Sequence, residues 1–232
     1  MIYIGLDDTD NADSRGTGRL ARNIAATLAA RYKVIAVTRH QLLVDPRVPY
    51  TSHNSCATLH LAEDGAVDLS ALADQVQSLM LADWQDGSDP GLCVARVVEP
   101  AMTEFGYRAK QEVVRRVDAH AVAERCGCIL RGLGGTDDGV IGALAGVGLA
   151  VTGNDGRFLL IGRSRELQGV QPVKAILDCG IADVRTMEGR SLDQGLVDTE
   201  GKLRPAYREG RAILFVARHE SDQSLWKPVK LD

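Results

Sequence analysis

The sequence has few aromatic residues and no excess of basic ones. Aromatic residues make up 4% of its 232 residues, and its net charge is −4. It therefore lacks the overall positive charge that usually marks a nucleic-acid-binding protein, although a local basic patch is still allowed. No apolar run reaches the roughly 18–20 residues of a membrane-spanning helix. The first strand begins directly after Met1, which leaves no room for a signal peptide, so we expect a cytoplasmic protein with no membrane partner.

Cysteine is also scarce, with five in the chain. An odd number in a protein that is not exported argues against a disulfide framework. Cys126 and Cys128 form a single CxC pair, whereas structural zinc sites commonly combine two CxxC pairs. We therefore expect small buried thiols rather than a structural metal site.

The length of the chain allows one large domain or two small ones. Hydrophobic residues make up 45% of it, enough for a sizeable core. Strand and helix patterns alternate at the start, which predicts a mixed fold of the α+β or α/β class. We divide the chain into residues 1–125, with the acidic loop, and residues 126–232, with a Gly-rich helix and the last strands. Segments of the two parts are free to interleave.

The most informative feature is a group of three carboxylates, Asp7, Asp8 and Asp10, that follows a short apolar strand pattern. Charges this close repel one another, and a divalent cation is the usual compensation. Mg²⁺ commonly arrives with phosphate, so the pattern favours a metal site in a protein that handles a nucleotide. The alternative is an Asp-rich connection in which one carboxylate caps a turn.

A glycine-containing loop comes next, directly before a helical repeat of apolar residues. Glycines ahead of a helix allow backbone N–H groups to point at an anion, and arginines add charge-assisted bonds to phosphate. The spacing matches neither the Walker A motif nor G-x-G-x-x-G, so a plain turn is the alternative. The phosphate-binding candidates are Arg15, Gly16, Thr17, Gly18 and Arg19, and Arg19 is also a candidate for stabilising a transferring group.

The segment after Pro49 holds hydroxyl groups, an imidazole and an amide ahead of a strand pattern. His53 is a candidate general base or phosphate donor, and Asn54 is a candidate for positioning a ligand. A lone histidine in a loop is more often a surface residue, so this alternative remains open.

A Gly-rich turn precedes a helix that is apolar on nearly every side, which predicts that the helix is buried. We expect Thr136 to cap this helix and Asp138 to lie in its first turn. Gly139 and Gly142 share one face of it, where another backbone or a ligand would approach closely. Elsewhere, Asp118 is expected to cap a second helix, and the tail after His219 is expected to be loose.

Taken together, these segments resemble the archaeal agmatinylcytidine synthetase family, which attaches agmatine to cytidine in the anticodon of an isoleucine tRNA. The likeness rests on the order of four segments in the chain: Gly5–Asp10, Arg15–Gly16, Val48–Asn54 and Gly139–Gly148. It implies a two-lobed fold with a kinase-like domain and a ferredoxin-like α/β domain. It also implies ATP and Mg²⁺ as cofactors, with Asp7, Asp8 and Asp10 as metal and phosphate ligands.

The same resemblance implies an Mg-ATP-dependent phosphotransferase or ligase-like enzyme. Together with the loop pattern described above, it leads us to predict Asp7, Asp8, Arg19 and His53 as catalytic residues, and the remaining candidates as cofactor-binding residues: Asp10, Arg15, Gly16, Thr17, Gly18, Asn54, Gly139 and Gly142. We expect the family's OB-fold and zinc-ribbon domains to be missing.

The family also begins its first helix with paired threonines, where this chain has Arg19 and Leu20. This departure keeps a second hypothesis open, a non-catalytic module or scaffold that binds a nucleotide or a nucleic acid. The sequence identifies neither the acceptor, a small molecule or an RNA, nor the oligomeric state, so a homo-oligomer is left open.

Overall fold

The structure is a computed structural model that describes residues 1–11, 16–48 and 53–231. Contacts along the chain divide it into two compact units, Met1–Thr152 and Gly153–Asp232. The predicted division after residue 125 falls inside the first of them. No helix in the described ranges is both long and apolar enough to span a membrane.

The first unit alternates strands and helices and confirms the prediction of a mixed fold. In chain order its elements are β1 (Ile2–Asp7), α1 (Thr17–Leu28), β2 (Lys33–Gln41), β3 (Ser55–Ala62), α2 (Leu69–Ala82), β4 (Gly91–Ala95), α3 (Pro100–Gln111), α4 (Arg116–Cys126), β5 (Ile129–Gly132) and α5 (Gly139–Ala150).

The strands of this unit form a sheet in the order β5-β4-β1-β3-β2, and each neighbouring pair is antiparallel. Strand β1 lies in the middle. Ile2, Ile4 and Leu6 alternate along it and are fully buried, as expected for one face of a central strand. Gly5 belongs to the opposite face, which α5 covers. The carboxyl end of β1 therefore opens beside α5.

Helix α5 is buried at every position except Ile141, which confirms the predicted buried helix. It packs unusually close to the sheet, because a Cβ at Gly5 or Gly91 would overlap the backbone of α5. The predicted cap is wrong: Asp138 occupies the N-cap position and makes no side-chain cap bond. The helix starts two residues later than a Thr136 cap would place it, and Thr136 donates to Asp89 instead.

The start of α4 also differs from the prediction. Arg115 is its N-cap residue, and Asp118 lies one turn inside the helix. The Asp118 carboxylate accepts a 3.3 Å hydrogen bond from the Arg115 backbone N–H. The carboxylate still satisfies a backbone N–H at the helix start, but it does so from the third helical position.

The second unit consists mainly of strands, with the helix α6 among them: β6 (Arg157–Ile161), β7 (Val170–Pro172), α6 (Val173–Asp178), β8 (Asp183–Thr186), β9 (Leu196–Asp198), β10 (Ala206–Arg208), β11 (Arg211–Arg218) and β12 (Leu225–Pro228). The strand order is β6-β10-β11-β12-β9-β7, and β8 pairs in parallel with β11. The prediction of a loose tail is wrong, because Trp226 on β12 packs into the core and stacks under the Arg218 guanidinium at 3.8 Å.

Candidate functional site

A cavity of about 770 Å³ opens in the first unit beside the carboxyl end of β1. It brings together candidate residues from three separate parts of the sequence, namely Asp7, Asp8, Asp10, His53, Asn54, Gly139 and Gly142. Two further aspartates, Asp89 and Asp138, lie in the same lining. One wall of the cavity is therefore strongly acidic.

The turn after β1 places the acidic side chains. Asp8 has a φ of 46°, in the left-handed region that aspartate tolerates better than most side chains. Its carbonyl accepts a 3.1 Å hydrogen bond from the Asp89 N–H. This bond ties the turn after β1 to the segment before β4, so that carboxylates 81 positions apart along the sequence share one wall.

Asp7 is the most perturbed of these acids. Its carboxylate lies against Gly142 in the first turns of α5, where a Cβ would overlap it. Burial and the nearby charge of Asp8 raise the pKa of Asp7 to about 8. For Asp8, burial together with the charges of Asp89 and Asp10 raises the pKa to about 6. Both carboxyls hold protons far more tightly than an exposed aspartate does.

Asp89 was missed in the sequence, where Asp89-Pro90-Gly91 looks like an ordinary turn before a strand. One carboxylate oxygen, Oδ2, accepts hydrogen bonds from the Thr136 N–H and hydroxyl and from the Asp138 N–H. The other oxygen, Oδ1, is buried and has no hydrogen-bond partner among the described residues. A buried acceptor left in this state is costly unless a ligand or a water meets it.

The predicted phosphate loop is placed differently from the acids. Thr17 is buried at the start of α1, where its hydroxyl donates to Asp10 Oδ1 at 3.1 Å and accepts from the Thr9 hydroxyl at 3.0 Å. Arg19 is exposed on α1, and neither it nor Gly16, Thr17 or Gly18 belongs to the cavity lining. Arg15 lies outside the described residues. Through Asp10, the loop joins the acidic wall without facing the cavity itself.

Asn54 holds the β2–β3 connection together. Its Nδ2 donates to the Leu43 carbonyl at 2.7 Å, and its own carbonyl accepts from Gln41 Nε2 at 2.6 Å and from the Leu42 N–H at 2.9 Å. With its amide nitrogen engaged in this way, Asn54 shapes the wall of the cavity. His53 is exposed beside it and lies in the cavity lining.

The lining of the cavity also contains apolar side chains and three arginines, Arg47, Arg115 and Arg116. Arg47 is held by Asp45 through two 2.8 Å bonds, and Arg115 is paired with Asp118. Arg116 donates instead to the Thr136 carbonyl and has no carboxylate partner within the described residues. Of the three arginines, Arg116 is therefore the one whose charge a bound anion would neutralise most directly.

The donor chemistry of the acidic wall suits Mg²⁺, which binds carboxylate oxygens together with water and phosphate. The side chains are not gathered into a finished metal site: in the described part of the chain, no group of three or more acidic, histidine or cysteine residues has metal-binding geometry. The unpartnered Oδ1 of Asp89 and the raised pKa values of Asp7 and Asp8 fit a site that a cation would complete.

These pKa values set the pH dependence of stability. The folded protein holds protons on Asp7 and Asp8 that the unfolded chain releases near pH 4, so the free energy of unfolding should fall as pH rises from about 4 to about 8. We expect Asp7→Asn to flatten this slope and to be more stable than the wild type at pH 8 by at least about 1.4 kcal/mol, the equivalent of a tenfold change in proton affinity. Urea denaturation of both proteins at several pH values, without divalent cations, measures the free energy of unfolding and its slope with pH. An unchanged slope would show that Asp7 titrates as an exposed carboxyl does.

No protein-family model matches the chain, and no curated protein sequence matches it either. Solved structures do. The chain is 25% identical to a TiaS–tRNA(Ile2)–ATP complex, with a TM-score of 0.55, over 63% of this chain and 36% of that one. It is 23% identical to a tRNA fluorescent labeling enzyme, with a TM-score of 0.55, and 22% identical to apo TiaS, the tRNA(Ile2) agmatidine synthetase, with a TM-score of 0.53.

In each of these cases the match spans about 35% of the length of the solved protein. At this distance the likeness establishes a shared fold. Over 63% of its length the chain is thus similar in fold to part of TiaS, and it has an acidic cavity at the carboxyl end of strand β1.

Proposed function

We propose that this protein is an Mg-ATP-dependent phosphotransferase or ligase-like enzyme whose acceptor is unidentified. The observation that carries the proposal is the acidic wall, where Asp7, Asp8, Asp10, Asp89 and Asp138 line one cavity and an oxygen of Asp89 lacks a partner. Carboxylates in this number are stable together when a cation neutralises them. The structural likeness to a protein solved with ATP and tRNA supports the same function.

Asp7, Asp8 and Asp10 would hold Mg²⁺, with Asp89 close enough to share in its binding. A bound Mg²⁺ would offset negative charge on the β- and γ-phosphates of ATP. The N-terminus of α5, where Gly139 and Gly142 line the cavity, is better placed to offer backbone N–H groups to phosphate than the N-terminus of α1, where Gly16, Thr17 and Gly18 do not. Of the arginines, Arg116 lines the cavity and Arg19 does not, so Arg116 is better placed to stabilise a transferring phosphoryl group.

The acceptor subsite follows from the remaining wall. His53 is exposed at the cavity and is the candidate base for deprotonating an acceptor.

We further propose a ferredoxin-like part formed by β1, α1, β2, β3, α2 and β4, whose strand order β4-β1-β3-β2 is that of the split βαβ arrangement. The kinase-like part would then comprise α3, α4, β5 and α5. An RNA acceptor is consistent with the solved proteins of similar fold, which were captured with or act on tRNA.

Calorimetric titration with ATP tests the proposal directly. We expect ATP to bind in the presence of Mg²⁺ and to lose at least roughly tenfold in affinity when EDTA removes the cation, since the acidic wall repels a bare triphosphate. Release of ADP or AMP, followed by chromatography with RNA and small amines as acceptors, measures turnover. An affinity that is unaffected by EDTA would remove the metal from the proposal.

A binding module is the second candidate, and one observation favours it. Thr17 is the hydroxyl nearest to the acids in the predicted loop, yet it is buried and engaged with Asp10 and Thr9. It is therefore poorly placed to accept a phosphoryl group. Mg-dependent ATP binding without turnover for any acceptor would support the module over the enzyme.

A further inference from the structure

Three of the five cysteines lie close together where α4 leads into β5, outside the cavity lining. Cys93 on β4 is fully buried, whereas Cys126 at the end of α4 and Cys128 directly before β5 are each partly exposed. The prediction of small buried thiols is therefore confirmed for Cys56, Cys93 and Cys179. It is wrong for Cys126 and Cys128, because the end of α4 lies at the surface.

The pairing of β4 with β5 places Cys93 and Cys128 on the same face of the sheet. Cys93 lies opposite Leu130 in the antiparallel register, and Cys128 comes two residues before Leu130. Because side chains alternate between the two faces along a strand, Leu130 and Cys128 both belong to the face of Cys93. Both cysteines accordingly pack in one hydrophobic cluster. The two thiols are thus diagonal neighbours at the end of this strand pair.

The turn at the end of α4 places Cys128. Gly127 has a left-handed φ of 64°, and the Cys128 N–H donates to the Ala123 carbonyl at 3.2 Å, which is a common way for a helix to end. The pairing of β4 with β5 begins at Ile129, so Cys128 lies just outside it. Its thiol is therefore presented from a turn, where the backbone has more freedom to adjust than inside a strand pair.

The thiols of Cys93 and Cys128 are in hydrogen-bond contact. The Cys93 S–H donates to the Cys128 sulfur, which lowers the pKa of Cys128 below its usual value. The same bond, together with burial, raises the pKa of Cys93. Burial also raises the pKa of Cys126. Since the thiolate is the reactive form, Cys128 combines partial exposure, thiolate character and an adjacent second thiol, which are the features of redox-sensitive cysteines.

We propose that Cys128 and Cys93 form a reversible redox site, in which a peroxide oxidises Cys128 and Cys93 then closes a disulfide with it. The Cys128 thiolate attacks one peroxide oxygen and the O–O bond breaks. Cys128 becomes a sulfenic acid, and the other oxygen leaves as hydroxide, which takes up the proton that the Cys128 thiol released. The Cys93 sulfur then attacks the Cys128 sulfur, so that the S–S bond forms, the S–O bond breaks, and the second hydroxide leaves as water with the Cys93 proton. The two thiols supply the two electrons that reduce the peroxide.

The position of the pair makes this modification reversible and separate from the cavity. Diagonal neighbours are typically somewhat farther apart than the cysteines of an unstrained disulfide, so the turn at Cys128 has to shift toward Cys93. A disulfide closed under strain is easily opened by thiol reductants. The pair lies at the end of β4 and β5 that is farther from Asp89. The inference therefore does not rest on the proposed function.

Mild treatment of the native protein with hydrogen peroxide tests the redox site directly. Two of the five free thiols should be lost, and dithiothreitol should restore both. After alkylation of the remaining thiols and cleavage with trypsin and an aspartate-specific protease, mass spectrometry should find a Cys93–Cys128 link within one chain. Unchanged thiol content, a link between Cys126 and Cys128, or a link between two chains would overturn the proposal.

Variants assign a role to each thiol. Cys128→Ser should lose thiols at least roughly tenfold more slowly than the wild type, because Cys93 is buried and holds its proton. Cys93→Ala should accumulate a Cys128 sulfenic acid that dimedone traps. Cys126→Ser is the matched control, since Cys126 is also partly exposed, and it should behave as the wild type does.

The variants also provide outcomes that contradict the redox site. Thiol loss at the wild-type rate in Cys128→Ser would show that Cys128 is not the attacking thiol. Circular dichroism checks the fold of Cys93→Ala, which alters the core. If that variant does not fold, the disulfide map of the wild type and the rate of Cys128→Ser still decide the question, because neither depends on it.

Discussion

Asp8→Asn is expected to weaken Mg²⁺-dependent ATP binding on the order of 10- to 100-fold or more, the usual penalty for disturbing a metal site. Asparagine is the appropriate replacement because Asp8 has a φ of 46°, which asparagine also adopts with little strain. The variant keeps the turn after β1 and removes one negative charge from the acidic wall. Calorimetric titration of ATP at fixed Mg²⁺ concentration measures the loss.

The same substitution should not destabilise the protein, which distinguishes lost binding from lost folding. Asp8 is repelled by Asp89, Asp10 and Asp138, so removing its charge relieves repulsion in the cation-free protein at pH 8. Its melting temperature there should equal or exceed that of the wild type. Asp64→Asn is the control, since Asp64 is an exposed acid outside the cavity lining. Unchanged ATP affinity in Asp8→Asn would rule out a role for this carboxylate.

Gly5→Ala is expected to cause the largest loss of stability. The added Cβ would overlap the carbonyl oxygen of Ala143, a backbone atom in a buried helix that cannot turn aside as a flexible side chain would. Overpacking of this kind costs about 3 kcal/mol or more when the backbone has to shift. The melting transition of the first unit should fall by roughly 6 °C or more. Differential scanning calorimetry would measure it.

Gly65→Ala provides the comparison for that experiment. Nothing lies within 4 Å of a Cβ at this position, but the φ of 78° is unfavourable for alanine. Its cost should be limited to the backbone strain, about 1 kcal/mol. If Gly5→Ala is no worse than Gly65→Ala, then α5 is free to move away from β1 and the close packing is not essential.

The acidic wall was accessible from the sequence in part, because Asp7, Asp8 and Asp10 are neighbours in the chain and follow a clear strand pattern. The buried helix α5 was equally clear from its apolar composition. Its cap was not, since Thr136 and Asp138 both suit a helix start by residue type. The hydrogen bond from Thr136 to Asp89, which is distant in the sequence, engages Thr136 away from the helix start, and the local sequence does not predict this bond.

What the sequence could not show is the set of residues that only folding brings together. Asp89 joins the wall through its N–H bond to the Asp8 carbonyl, although 81 positions separate the two residues. In the second unit, β9 and β10 have three residues each, too few for a periodic pattern to be recognised.

The glycines that seat α5 against β1 and β4 have a mechanical consequence. At Gly5, Gly91 and Gly139 the backbone of α5 comes almost into contact with the backbone of β1 and of the segment before β4, so a slide or rotation of the helix would meet backbone atoms there rather than flexible side chains. The part of the cavity formed by the start of α5 is therefore rigid. Any fitting of the pocket around an incoming molecule is left to the part of the lining where valine and arginine side chains are able to change rotamer.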